Sequence, residues 1–317
     1  MLANEPCDEG VLLAIIELVE VEVRLNLSRY LISLQRSSAN NNEWKVHLDA
    51  ALTVFSSLPI LNMEFATLSA LEAFFVRNLT FADILAATSL RRTPTLYLRN
   101  IHNLNVGIGV HRLFGCSDRT LSVINQGAEL DVWKAERQSL GELSIGELYK
   151  RGARILMQLW DGSGTVEGLG PIVAEIFRCA AVIYVNVIIS GTLLWEFRLT
   201  VGAYSGVEEM KKAIPYLVDS IQLIMPHPDA LRLVCWPLVI GKTAADKGSN
   251  GSGGSLAIQT SHRQSLKEAC VRMDGIGDFT QALAILEKSW EMRDLSPSTE
   301  THWRDIMGGF GVELLFT

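Results

Sequence analysis

Residues Leu113 to Glu136 read LFGCSDRTLSVINQGAELDVWKAE. A helix start at Ser117 or Asp118 is followed by Leu121, Ile124, Ala128, Leu130 and Trp133, close to the 3.6 period of one buried helical face. A Ser or Asp at that point offers a side-chain oxygen to the free amides of the first turn, so the start is chemically as well as periodically marked. On pattern alone the stretch is a packed helix.

Helical punctuation recurs on both sides of it. Thr80-x-x-Asp83, Ser144-x-x-Glu147, Ser205-x-x-Glu208 and Ser261-x-x-Gln264 all fit capping boxes or close variants, and no comparable series of hairpin signals occurs. Residues 11–36 carry an apolar stripe of Leu12, Ile15, Ile16, Val19, Val23, Leu27 and Leu31, as a first helix would. Further helices are expected near 43–57, 63–78, 80–90, 118–137, 145–160, 171–190, 205–224, 229–240, 261–274, 278–293 and 297–308. The β-branched run Ala180–Ile189 follows Pro171 at a plausible first helical turn, which favours a long helix over a strand. The expectation is an all-α fold, a compact irregular array of about a dozen helices with no sizeable sheet. Two segments break the pattern: Ser37–Asn42, SSANNN, and Gly248–Ser255, GSNGSGGS. The second has linker composition and implies a flexible loop at about 244–260 inside one domain spanning 1–317.

Composition limits the function. Of 317 residues, 48% are hydrophobic, ample for a large core. The formal charge of −7 argues against an autonomous grip on nucleic acid, which needs clustered Lys and Arg. The adjacent basic pairs, Arg91-Arg92 and Lys211-Lys212, read as solvated helix ends. Cys7, Cys116, Cys179, Cys235 and Cys270 are odd in number and dispersed, which suits a reducing compartment rather than a disulfide framework. The sequons at Asn26 and Asn78 are then accidental. An uncharged run lies between Arg178 and Glu196, but Asn186, Ser190 and Gly191 interrupt it, so a buried central helix is expected rather than a membrane span.

Catalytic signatures fail on their own chemistry. Gly241-Lys242-Thr243 ends like a phosphate-binding loop, yet Trp236 occupies the position of its first glycine. Gly107-Ile108-Gly109 lacks the third glycine of a dinucleotide fingerprint. Ser163 has Asp161 where a hydrolase elbow needs glycine. His47, His102, His111, His227, His262 and His302 are dispersed, with no His-Glu-x-x-His or Cys-x-x-Cys spacing. No Asp-Asp pair occurs, unlike the metal motif of helical terpene cyclases. No metal, cofactor or catalytic residue is expected.

The Gly115-Cys116 pair opening a helix that ends in Leu130-Asp131-x-Trp133-Lys134 resembles the regulatory domain of fungal zinc-cluster transcription factors. Four more segments resemble that family in the same order: FADILAATSLRRTPTL at 81–96, AEIFRCAAVIYVNVIISG at 174–191, LRLVCWPLVIG at 231–241 and HWRDIMGGFGVELLF at 302–316. The six closely spaced cysteines of the zinc cluster are missing. The resemblance therefore implies either an effector domain cut from a longer nuclear factor, contacting DNA only through a module absent from this chain, or a relative that lacks that module, with the first favoured. It also implies transcriptional co-regulators as partners, with a homodimer as a further association.

If that holds, the domain changes state on binding an apolar or amphipathic small molecule. Phe177, Cys179, Tyr184, Trp195, Trp236, Trp303 and Met307 fall in or beside the family-like segments and are the expected ligand-binding residues. They would enclose it between helices 171–195 and 229–240 and the tail 297–316. Gly308, Gly309 and Gly311 are the expected hinge, since glycine permits backbone angles closed to other residues. A glycine-rich segment is similarly placed in sterol-sensing relatives. The alternatives are a helical interaction or dimerisation module with no small-molecule ligand and, further off, a helical enzyme.

Overall fold

The computed structural model describes residues 45–46, 48–49, 51–53, 70–96, 114–159, 169–190, 205–244, 254–273, 283–284, 287–288, 290–292, 304, 307 and 309. Its bounded helices are α1 (Ala70–Leu90), α2 (Asp118–Ser139), α3 (Ile145–Met157), α4 (Leu169–Ser190), α5 (Ser205–Ile224), α6 (Pro228–Leu233), α7 (Cys235–Ala244) and α8 (Gly254–Met273). The fold is all-α, with these eight bounded helices and no strand among the described residues. The expected helix at 11–36 lies outside them.

Helix α4 is the axis of the molecule. Every residue from Cys179 to Ile189 is buried, Asn186 included, because a helix apolar all round must be covered all round. Its Val and Ile content lowers helix propensity, but burial overrides so weak a preference. Asn186 returns its side-chain amide to the Val182 carbonyl, 2.8 Å away, so its donor is not stranded among apolar neighbours. Helices α2, α3, α5, α6 and α7 all pack on α4. It is long and apolar enough to cross a bilayer, but 78% of its most apolar window is buried inside the molecule.

Close approach to α4 depends on missing side chains. A Cβ on Gly152 of α3 would lie 2.2 Å from Ile189, and one on Gly127 of α2 would lie 2.9 Å from the Tyr184 ring. Gly115, just ahead of α2, combines a φ of +71° with a Cβ position 2.5 Å from Val173.

Two caps form as the sequence specifies. The Ser117 hydroxyl accepts from Thr120 N–H at 3.1 Å, and that of Ser144 accepts from Glu147 N–H at 3.3 Å. Elsewhere the punctuation misleads. The helices expected at 63–78 and 80–90 join across Thr80, which is buried in mid-helix. Asp83, the other half of that supposed capping box, instead accepts from the Thr95 and Leu96 amides at 2.6 and 2.9 Å and faces Arg92 at 2.7 Å. Ser261 and Gln264 likewise fall inside α8, which begins at Gly254 within the expected loop. The apolar Leu256, Ala257 and Ile258 follow at once, and such residues suit a helix better than the preceding glycines do. The helix expected at 229–240 is split at Val234, because Pro237 has no N–H for the Leu233 carbonyl and its ring excludes a continuous helix there.

Arg91 and Arg92 are not simply solvated. Arg91 takes φ +50° and the Arg92 N–H returns to the Ala87 carbonyl at 3.3 Å, a left-handed stop to α1. Their guanidiniums face Asp131 and Asp83.

Candidate functional site

Phe177 and Tyr184 are seven residues apart on α4 and so share one face. Against that face lies Trp236, at the start of α7. The Phe177 and Trp236 rings are stacked with centroids 6.4 Å apart, and Tyr184 meets Trp236 edge-on at 5.7 Å. Phe81 of α1 extends the row, edge-on to Phe177 at 6.0 Å. Met307 is buried in the same core cluster. Five of the expected binding residues, Phe177, Cys179, Tyr184, Trp236 and Met307, thus belong to one apolar interior. The structure does not bring Cys179 into the aromatic row. It sits about 200° around α4 from Phe177, and its sulfur is 3.6 Å from a carboxylate oxygen of Glu175. Trp195, Trp303, Gly308 and Gly311 lie outside the described residues. Gly309 occupies an exposed helical position with no heavy atom within 4 Å of where a Cβ would stand.

A small polar island is set into this apolar interior. The Trp236 indole N–H donates to the Thr88 hydroxyl at 2.9 Å, which donates to the Leu85 carbonyl at 2.7 Å. The Thr88 carbonyl accepts from Arg304 Nε at 2.7 Å and also from Arg304 Nη2. Arg304 Nη1 pairs with Asp131, and Nη2 lies 3.4 Å from the Tyr184 hydroxyl. Both charged side chains are nearly sealed, 8% exposed for Arg304 and 6% for Asp131. The guanidinium does three jobs at once: it caps the last turn of α1, neutralises a carboxylate on α2 and touches a hydroxyl on α4. Helix-terminal carbonyls lack an intrahelical donor, and a cation there also suits the helix dipole.

Arg304, Asp131 and Thr88 were not among the expected site residues, though the signal was present. Asp131 continues the Leu121, Ile124, Ala128 stripe at helical spacing, so a carboxylate there had to be buried and paired. The surrounding phrase ties several elements together. Arg151 of α3 lies over the Trp133 ring at 4.3 Å, and Lys134 donates to the Ile188 carbonyl in the last turn of α4 at 2.7 Å.

Burial holds the thiols and the phenol of this interior in their neutral forms. Burial, with the nearby Glu175 adding to it, pushes the Cys179 thiol up to about 12. Burial also raises Cys116, Cys235 and the Tyr184 phenol. These groups stay protonated near neutrality, unlike thiols activated as nucleophiles. Among the described residues, no group of three His, Cys, Asp or Glu is arranged to hold a metal.

The chain is 23% identical to the transcription factor dibT of Pestalotiopsis microspora over 89% of its length and 51% of the relative's. It is 22% identical to the trichothecene biosynthesis transcription regulator TRI10 of Fusarium sporotrichioides over 66% of its length and 45% of the relative's. To TRI10 of Trichoderma arundinaceum it is 20% identical over 90% of its length and 71% of that protein. The chain spans about half the length of the first two. No solved structure matches it. Residues 25–317 match the family described as the fungal specific transcription factor domain, and the chain belongs to that family.

Proposed function

We propose that this is the effector domain of a nuclear transcription regulator, responsive to an apolar or amphipathic small molecule. In this reading DNA is contacted by a zinc cluster module that this chain does not contain, and co-regulators read the state of the helical domain. Phe177, Tyr184 and Trp236 meet in the interior that also holds Met307, beside the polar island of Thr88, Asp131 and Arg304, and that convergence supports the reading. Mostly apolar walls with a few directional polar groups suit such a ligand. The effector enters between α4, α7 and the turn carrying Arg304 and Met307, and stabilises one arrangement of that turn. A preference of about 1–3 kcal/mol for one arrangement changes populations about five- to hundredfold.

The test is a reporter in yeast driven by this chain fused to an unrelated DNA-binding module, with and without metabolite extracts. A signal that follows an extract supports the reading, and a constant signal moves the weight to recruitment without a ligand. Gly309→Asp has open space for its side chain. It should alter the extract response and leave the melting transition in place. A variant without that transition would make Gly309 a structural residue instead.

The second reading is an interaction or dimerisation module. It is favoured by Tyr216 and Leu223, which stand seven residues apart on α5 and are 56% and 63% exposed. Large side chains left in water on one helical face suit a protein partner. Sedimentation of the chain beside a Tyr216→Glu, Leu223→Glu double variant separates the cases. A dimer that the double variant dissolves would support it.

A further inference from the structure

Asp131 has a second cation within reach. Besides Arg304, the guanidinium of Arg91 lies 3.7 Å from the same carboxylate oxygen. The two arginines differ in situation. The Arg304 side chain is 8% exposed, whereas that of Arg91 is 41% exposed and is held at the left-handed stop of α1. Arg304 arrives from far along the chain with Met307, which is buried three residues on. Arg91 is built into the α1 terminus beside Asp131 and stays wherever the later segment goes.

A buried ion pair contributes little to stability beyond what apolar side chains of the same size would give, but stranding one of its members is severe. A carboxylate with one buried partner could therefore not release it. With Arg91 in place it can, because Asp131 keeps a counter-ion when Arg304 leaves. The Thr88 carbonyl, in the last turn of α1, then turns to solvent, as helix-end carbonyls commonly do.

We infer that Asp131 is a two-arginine switch point. Arg304 holds it when Arg304 and Met307 are docked against the core, and Arg91 holds it when they are released. In the docked state one guanidinium reaches the Thr88 carbonyl, Asp131 and the Tyr184 hydroxyl together. The switch requires no small molecule, so it stands whether or not the effector reading does.

Hydrogen exchange of the full chain, read peptide by peptide, tests it. Arg304→Met should speed exchange at least about tenfold in the peptide containing residues 304–309 while leaving α2 and α4 peptides protected. Arg91→Met, which keeps side-chain length at the same backbone conformation, should leave all of them near wild type. The two together should strip protection from α2 and α4 by far more than the product of the single effects, the signature of a shared partner. Asp131→Asn in that double background should restore it, since an amide needs no counter-ion. Loss of core protection or of folding in Arg304→Met alone would overturn the proposal, because Arg91 would then be no substitute. So would an unchanged 304–309 peptide, simple additivity, or a double variant that Asp131→Asn does not rescue.

Discussion

Gly115 shows how much one missing side chain can carry. A φ of +71° and Val173 at 2.5 Å from the would-be Cβ are independent obstacles, one in the backbone and one in the packing. Gly115→Ala should lower the unfolding free energy by about 1–3 kcal/mol in urea titration. Cys179 makes a different prediction, in pH. Its thiol is pushed from 9.0 up to about 12 in the folded chain, so the folded state holds the proton more tightly than the unfolded one. The stability it contributes is complete below 9.0 and is lost as pH rises towards 12. Thermal melts between those values should fall less steeply for Cys179→Ala than for the parent, and identical slopes would remove Cys179 as a cause.

At the scale of the element, caps are the simplest device to measure. Ser117→Ala removes the acceptor for Thr120 N–H and should destabilise the domain by about 1 kcal/mol, read from the denaturation midpoint. The helix boundaries were legible where such a cap was real, as at Ser117 and Ser144. They were illegible where the same letters served another purpose. Thr80 and Asp83 spell a helix start, but whether a carboxylate caps its own helix or a distant turn depends on which turn folds back beside it. The break at Val234 could have been read from Pro237. The start of α8 at Gly254 could not be read from glycine-rich composition, because packing decides how far a weak helix extends.

For the molecule as a whole, the sequence picked out three aromatic residues that meet, Phe177, Tyr184 and Trp236, but neither Phe81 beside them nor what binds them into a unit. Phe177, Tyr184 and Trp236 were legible because they fall in the family-like segments. Arg304 was harder, because its partners at Thr88 and Asp131 lie far away in sequence and periodicity carries no information across such separations. Asp131 was the readable half, a charge on an apolar stripe. Trp236 is where the two descriptions join, its ring in the aromatic row and its N–H on Thr88. Trp236→Ala should destabilise the domain by about 3–5 kcal/mol, and added indole should raise the melting midpoint of that variant but not of the parent. Equal effects on both would show that indole acts elsewhere.

The burial of α4 also bears on how the chain is made. This helix resembles a membrane segment in length and hydropathy, and among its covers α2 and α3 precede it while α5, α6 and α7 follow. During synthesis its far flank therefore emerges bare. It remains so until about fifty further residues have left the ribosome, roughly 3–10 s at the usual pace. In that interval the nascent chain carries an apolar surface of the kind that chaperones bind.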